Sequence, residues 1–204
     1  RLYELFKDAP TLGSLIDPTR ERGELFVAEW GELQPLLAKA LAGERKDEEA
    51  RELGVAARGI TAAAEILSGR YTLVATNVPF LSRGKQVELL RAFCEREFSD
   101  AKADLSTVFV SRCLALSAEG GASAVVTPET WLFMKTYQAF RRRLLTSETI
   151  RTIAILGPAA FRDMNFWRAT TALEVLSARV PEGASRATYF NASGPRVPEE
   201  KGRL

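Results

Sequence analysis

The chain has 204 residues, 46% of them hydrophobic, enough for one domain or a large piece of one with a core of ordinary size. Lys and Arg number 28 against 26 Asp and Glu, a net charge of +2 that by itself announces no polyanionic partner. Histidine is absent, which removes Ser-His and Cys-His nucleophile chemistry and every histidine-based metal site, and no apolar run approaches the roughly 18–20 residues of a bilayer span. Cys94 and Cys113 sit in apolar, helix-like patterns without metal-ligand spacing, so they are expected to be reduced core thiols of a cytoplasmic protein that holds no metal. The chain opens on Arg1 in a helix-like pattern, without a basic-then-apolar export signal, and its start is read as a possible cut.

In chain order, residues 1–23 carry Leu2, Leu5, Phe6, Leu12, Leu15 and Ile16 broken by Pro10, Gly13 and Pro18, a short helix followed by an irregular connection. Apolar spacing predicts a helix from Val27 to Leu41 and a second over Lys46–Ser68 closed by Gly69, with the charge run of the second on a solvated face. These segments form a helical lead-in, residues 1–70. Tyr71–Ala75 is a β-rich apolar run with the profile of a buried strand, and it ends at the polar pair Thr76-Asn77. A helix follows Ser82-Arg83-Gly84-Lys85 and runs through Phe98. Asp104 is placed to cap another that runs to about Ala118, ahead of Gly120-Gly121. Ala122–Val126 is the next buried strand. Trp131–Leu145 follows Pro128 as a turn and an amphipathic helix, Ile150–Leu156 is a third strand ending at Gly157-Pro158, and Thr170–Leu176 is a fourth. Strands separated by helices of this length predict an α/β fold with a mostly parallel sheet, its final strand antiparallel at an edge. The segment 181–204, rich in Pro, Gly and Ser, reads as loop or linker.

The chemistry concentrates in Asn77-Val78-Pro79-Phe80, where an amide, a kink and an aromatic emerge in that order from a strand end, the end of α/β strands at which ligands bind. The run resembles the Asn-Pro-Pro-Phe or Asn-Pro-Pro-Tyr motif of the DNA methyltransferases that act on adenine N6 and cytosine N4. The later order agrees with it: Asp104-Leu105-Ser106-Thr107-Val108-Phe109, Gly120-Gly121, Thr127-Pro128-Glu129-Thr130-Trp131, Arg141-Arg142-Arg143-Leu144-Leu145 and Leu156-Gly157-Pro158-Ala159-Ala160-Phe161. This set resembles the large bacterial adenine methyltransferases of phage-exclusion and restriction-type defence, over about Tyr71 to Phe161. The resemblance implies a Rossmann-like methyltransferase fold, incomplete here, whose target-base half is residues 71–180. It also implies S-adenosylmethionine as methyl donor, DNA as substrate and defence-system proteins as possible partners.

Under that resemblance, the Asn77 side-chain oxygen and the Val78 carbonyl accept the hydrogens of the exocyclic amine, so that its lone pair is free to attack a methyl group. Pro79 shapes the turn, and Phe80 stacks on a base taken out of the duplex. Val78 departs from the usual proline and leaves a more deformable turn. Asp104 matches a helix start near cofactor or target pocket, although its first role is as a helix cap. Arg83 and Lys85 follow the motif loop directly and are candidates for the phosphates flanking the flipped base, whereas Arg141-Arg142-Arg143 is read as a solvated face and Trp131 and Trp167 as core. Nothing from Arg1 to Ser68 has the strand-Gly-x-Gly-helix form, so the cofactor loop is expected outside the chain. Two other readings stand beside adenine methylation: a methyltransferase-like module that grips DNA without reacting, and a transferase acting on cytosine N4, RNA or a protein side chain.

Overall fold

The computed structural model describes residues 5–20, 48–158, 160, 170–183, 185–194 and 201, with backbone alone at 48–54 and 56–57. The chain divides into two compact units, Arg1–Gly69 and Arg70–Leu204. In the first, α1 (Ala9–Leu12) starts with Pro10 in its first turn and runs into a 3-10 turn at Gly13–Leu15, with Leu12 and Leu15 buried. The helix α2 spans Glu48–Ser68, absorbing Gly54 and Gly59 within a run of strong helix formers. The helix expected over Val27–Leu41 lies outside the described residues. Among the described residues no helix is long and apolar enough to cross a membrane.

The second unit is an α/β sandwich around five strands: β1 (Tyr71–Asn77), β2 (Ser117–Pro128), β3 (Thr149–Gly157), β4 (Thr171–Ser177) and β5 (Thr188–Asn191). They lie in the order β1-β2-β4-β3-β5. β1 and β2 are parallel, as are β3 and β5, while β4 is antiparallel to both neighbours, so four of the five strands point one way. The reversed strand therefore occupies the interior, not the edge expected from the sequence. The edge beyond β3 is instead β5, formed by four exposed residues in a segment that reads as loop. Residue types give the direction of neither, because β4 is placed by long-range pairing with strands on both sides.

Among the described residues the unit also holds the helices α3 (Glu88–Glu97), α4 (Leu105–Leu116) and α5 (Gln138–Ser147). α4 packs on β1 and β2, and α5 on β3. Arg143 joins them by donating to Ser111 Oγ at 2.7 Å while its guanidinium lies over the Phe140 ring. Val108, Val110, Phe140 and Leu144 are fully buried in this layer, opposite Val125, Ala172 and Leu176 of the sheet. Cys94 and Cys113 are buried free thiols, both pushed up to about 11, in each case first by burial. The other sheet face is open: the register puts Leu73, Leu173 and Phe190 on it, and they are 59%, 36% and 56% exposed. β1 is accordingly an edge strand with mostly exposed residues, against the buried strand expected from its apolar composition. That composition anticipates cover, and no described strand supplies it on the outer side.

Two local features are dictated by close approach. β2 bulges between its pairings of Ser117 with Tyr71 and Ala122 with Leu73; Gly120 turns there at φ 73°, and the chain closes on Ala178 through two backbone hydrogen bonds. A Cβ on Gly121 would lie 2.9 Å from the carbonyl oxygens of both Ala118 and Tyr71. The second feature is Glu174, 1% exposed in the middle of β4, where burial pushes its carboxyl up to about 8 against the opposing pull of hydrogen bonds from Thr127 and Trp131.

Both features carry a test. Gly121→Ala is expected to cost about 1–3 kcal/mol, the usual scale for overpacking, read as a lower urea midpoint at unchanged slope. For Glu174, the unfolded carboxyl ionises in the ordinary range while the folded one keeps its proton to about 8. The unfolded state therefore binds fewer protons over that interval, and stability falls as pH rises through it, levelling off above about 8. Urea midpoints of the wild type should decline between about pH 5 and about pH 9, and Glu174→Gln should flatten that part of the profile.

Candidate target-base site

The carboxyl ends of β1, β2 and β3 share one edge of the sheet, and Asn77 sits at the first of them, paired in register with Val126. After it the chain turns inward once. Val78 is 4% exposed, between the exposed Asn77 and Pro79, and Phe80 is half-buried. The residue that departs from the family motif is thus the one that anchors the loop in the core. A β-branched apolar side chain suits that task without altering the backbone carbonyl of the same residue.

The loop is then stitched to the start of α4. The Leu81 carbonyl accepts the Leu105 N–H at 2.9 Å and Gln86 Nε2 at 3.1 Å. Ser82 bridges Asp104 in antiparallel fashion, and the Arg83 N–H donates to the Ala103 carbonyl at 3.0 Å. Asp104 is at the same time the cap of α4: its Oδ1 accepts the Ser106 N–H at 2.9 Å and the Ser106 hydroxyl at 2.7 Å. Asp104 is therefore brought beside the motif loop by backbone pairing.

A second wall comes from the segment after β2, which forms 3-10 turns at Glu129–Leu132 and Lys135–Tyr137. Trp131 and Tyr137 are buried in it, so Trp131 is a core residue as the sequence indicates. Burial, and after it the charge of Asp104, pushes the Tyr137 phenol up, while a hydrogen bond with Thr130 opposes the shift. The segment leaves β2 at Pro128, two residues past Val126, the register partner of Asn77, and so starts from the same sheet edge as the motif loop. Sequence reasoning passed over Tyr137 and Gln86 and met Thr130 only within the run Thr127–Trp131; Gln86, 6% exposed in a turn, is the polar residue whose burial most directly supports the loop.

The basic candidates divide. Arg83 Nε donates to Glu95 Oε1 at 2.6 Å, and the bond holds the Glu95 carboxyl below its usual range. Lys85 is exposed in the 3-10 turn Arg83–Lys85. Of the arginine triplet, Arg141 binds the carbonyls of Trp131 and Met134 at 2.6 and 2.7 Å, and Arg143 pairs with Asp100 at 2.5 Å, leaving Arg142 as the exposed member. The triplet splits because consecutive helical residues point in different directions. Trp167 lies outside the described residues.

The sequence matches the family model of the Eco57I restriction-modification methylase over residues 29–161. It is 34% identical over 167 residues to the adenine-specific methyltransferase BrxX of Escherichia coli O9:H4 (strain HS), covering 81% of this chain and 13% of that protein. It is 33% identical over 107 residues to the adenine-specific methyltransferase PglX of Lacticaseibacillus casei (strain Zhang), covering 52% of this chain and 9% of that protein. The chain thus spans about one eighth or less of the length of these relatives. Among solved structures, the DrdV–DNA complex aligns with a TM-score of 0.51 at 15% identity, over 70% of this chain and 17% of that one, a likeness of fold. The fold is the α/β, Rossmann-like arrangement expected from the motif order, and the chain belongs to the Eco57I restriction-modification methylase family.

Proposed function

We propose that residues 71–180 form the target-base half of a DNA adenine-N6 methyltransferase, with 1–70 as a lead-in and with β5, from the segment 181–204 that reads as loop or linker in the sequence, added to the edge of its sheet. The observation that carries the reading is the Asn77-Val78-Pro79-Phe80 loop at the carboxyl edge of the sheet, stitched through Leu81 and Ser82 to the Asp104 cap. The adenine-specific activity printed for both relatives supports adenine as the substrate. DNA in the DrdV complex, a relative in fold, is consistent with DNA as partner.

In this reading the Asn77 amide oxygen and the Val78 carbonyl accept the two hydrogens of the adenine amine and release its lone pair for attack. Val78 burial keeps that carbonyl fixed, and the half-buried Phe80 ring supplies a face for the extruded base. S-adenosylmethionine, when bound, supplies the methyl group. The described residues fit it on one side only: Asp104 offers a carboxylate at the edge, with Oδ1 committed to Ser106, while the glycine-rich binding loop belongs to chain beyond these residues. Arg83 and Lys85 meet the phosphates flanking the extruded base. Arg83 does so by exchanging Glu95 for a phosphate.

The test is methyl transfer to adenine in duplex DNA by the full-length protein. Asn77→Ala is expected to lower kcat by about a hundredfold or more, the scale for removing one preorganised polar contact at a reacting centre, while calorimetric S-adenosylmethionine affinity stays unchanged. Equal transfer by the variant would sink the reading. DNA binding with no transfer even by the wild type would favour a module that grips DNA without reacting.

A further inference from the structure

Glu174 is the one acid in the apolar run Thr171-Ala-Leu-Glu-Val-Leu176, and it lies on the helix-covered face of the sheet. Its Oε1 accepts Thr127 Oγ1 at 2.5 Å and Trp131 Nε1 at 2.9 Å, and the indole N–H also reaches Thr127 Oγ1 at 2.9 Å. Its Oε2 is buried without a hydrogen-bond partner among the described residues. An apolar side chain here would avoid the desolvation that an acid incurs, so the acid has to be explained by what it holds.

What it holds leads to the candidate site. Thr127 is the residue after Val126, the register partner of Asn77. Trp131 packs edge-on to Phe140, with ring centroids 5.5 Å apart, and its carbonyl is gripped by Arg141, which also takes the Met134 carbonyl. The Tyr137 N–H in turn donates to the Met134 carbonyl at 3.2 Å. Glu174 is thus the inner end of a set of contacts that runs through Thr127 and Trp131 into the segment Glu129–Tyr137, which leaves β2 at the sheet edge that carries Asn77.

We propose that Glu174 is a positioning residue for the target-base site: by accepting from Thr127 and Trp131 it fixes the segment Glu129–Tyr137, which starts from the sheet edge beside Asn77. The inference rests on the reading of the Asn77 loop as a target-base site, and it concerns an acid that touches neither base nor cofactor.

The experiment uses the full-length protein with Glu174→Leu, Glu174→Gln and Trp131→Phe, and reads hydrogen exchange over 129–137 together with kcat and KM for duplex DNA. Glu174→Leu is expected to speed exchange in that segment and lower kcat by about tenfold or more, in line with the cost of small misplacements near a reacting centre, with S-adenosylmethionine affinity unchanged. Glu174→Gln, which keeps an acceptor oxygen, should restore both readouts to near the wild type. Trp131→Phe, which keeps the ring and deletes the donor, should reproduce the leucine variant and decides the matter if that variant does not fold. Unchanged exchange and transfer in the leucine variant, or a glutamine variant as impaired as it, would overturn the proposal. A wild type that transfers no methyl group would instead overturn the function proposed above, and the exchange data would then decide the positioning role alone.

Discussion

The candidate site hangs on a few backbone hydrogen bonds between Leu81–Arg83 and Ala103–Leu105. A loop leaving an edge strand has few neighbours to order it, and each net hydrogen bond contributes only about 1 kcal/mol. Here the loop gains its order by borrowing a helix start. Asp104 accepts two donors of Ser106 with its side chain while its backbone bridges Ser82, so helix capping and loop placement are one event. Gln86 reinforces the same point from the opposite direction, donating to the Leu81 carbonyl that Leu105 already occupies.

This arrangement separates the jobs of adjacent residues. Val78 faces the core, and the exposed Asn77 and Pro79 on either side are left to define the surface. The second position of the motif therefore answers to packing, which valine satisfies, while its backbone carbonyl is one that every residue possesses. A comparable division holds for the cations: Arg141 and Arg143 serve the interior of the fold, so the field available to a polyanion is weaker than the triplet suggests on paper.

Much of this was legible in the residues. Three strands and the helices ending at Glu97 and Leu116 fall close to their expected limits because apolar runs and the glycines and capping acid that bound them are local signals. By contrast, β2 begins at Ser117, ahead of the expected Ala122, and the helix expected from Trp131 begins at Gln138 after two 3-10 turns. The motif loop and Asp104 were found by resemblance and by helix-cap chemistry. Strand order was not legible: that β4 inserts between β2 and β3, and that β5 forms at all, depends on pairing between segments distant in sequence. Tyr137 and Gln86 escaped because nothing local marks a phenol or an amide as buried. Glu174 did leave a signal, a single acid in an otherwise apolar strand, and such an interruption is worth weighing as evidence of a partner across the sheet.

β1 carries a last consequence. Its residues are apolar enough for an interior strand, yet among the described residues it lies at one edge of the sheet, with Leu73 more than half exposed. It carries neither the lysines nor the proline that commonly guard such edges, and its irregularity is confined to its first residues. Produced as an isolated piece, this unit would present a template on which further strands can add, including those of its own copies. Its solubility in isolation is then governed by how that edge is occupied, quite apart from the stability of its core.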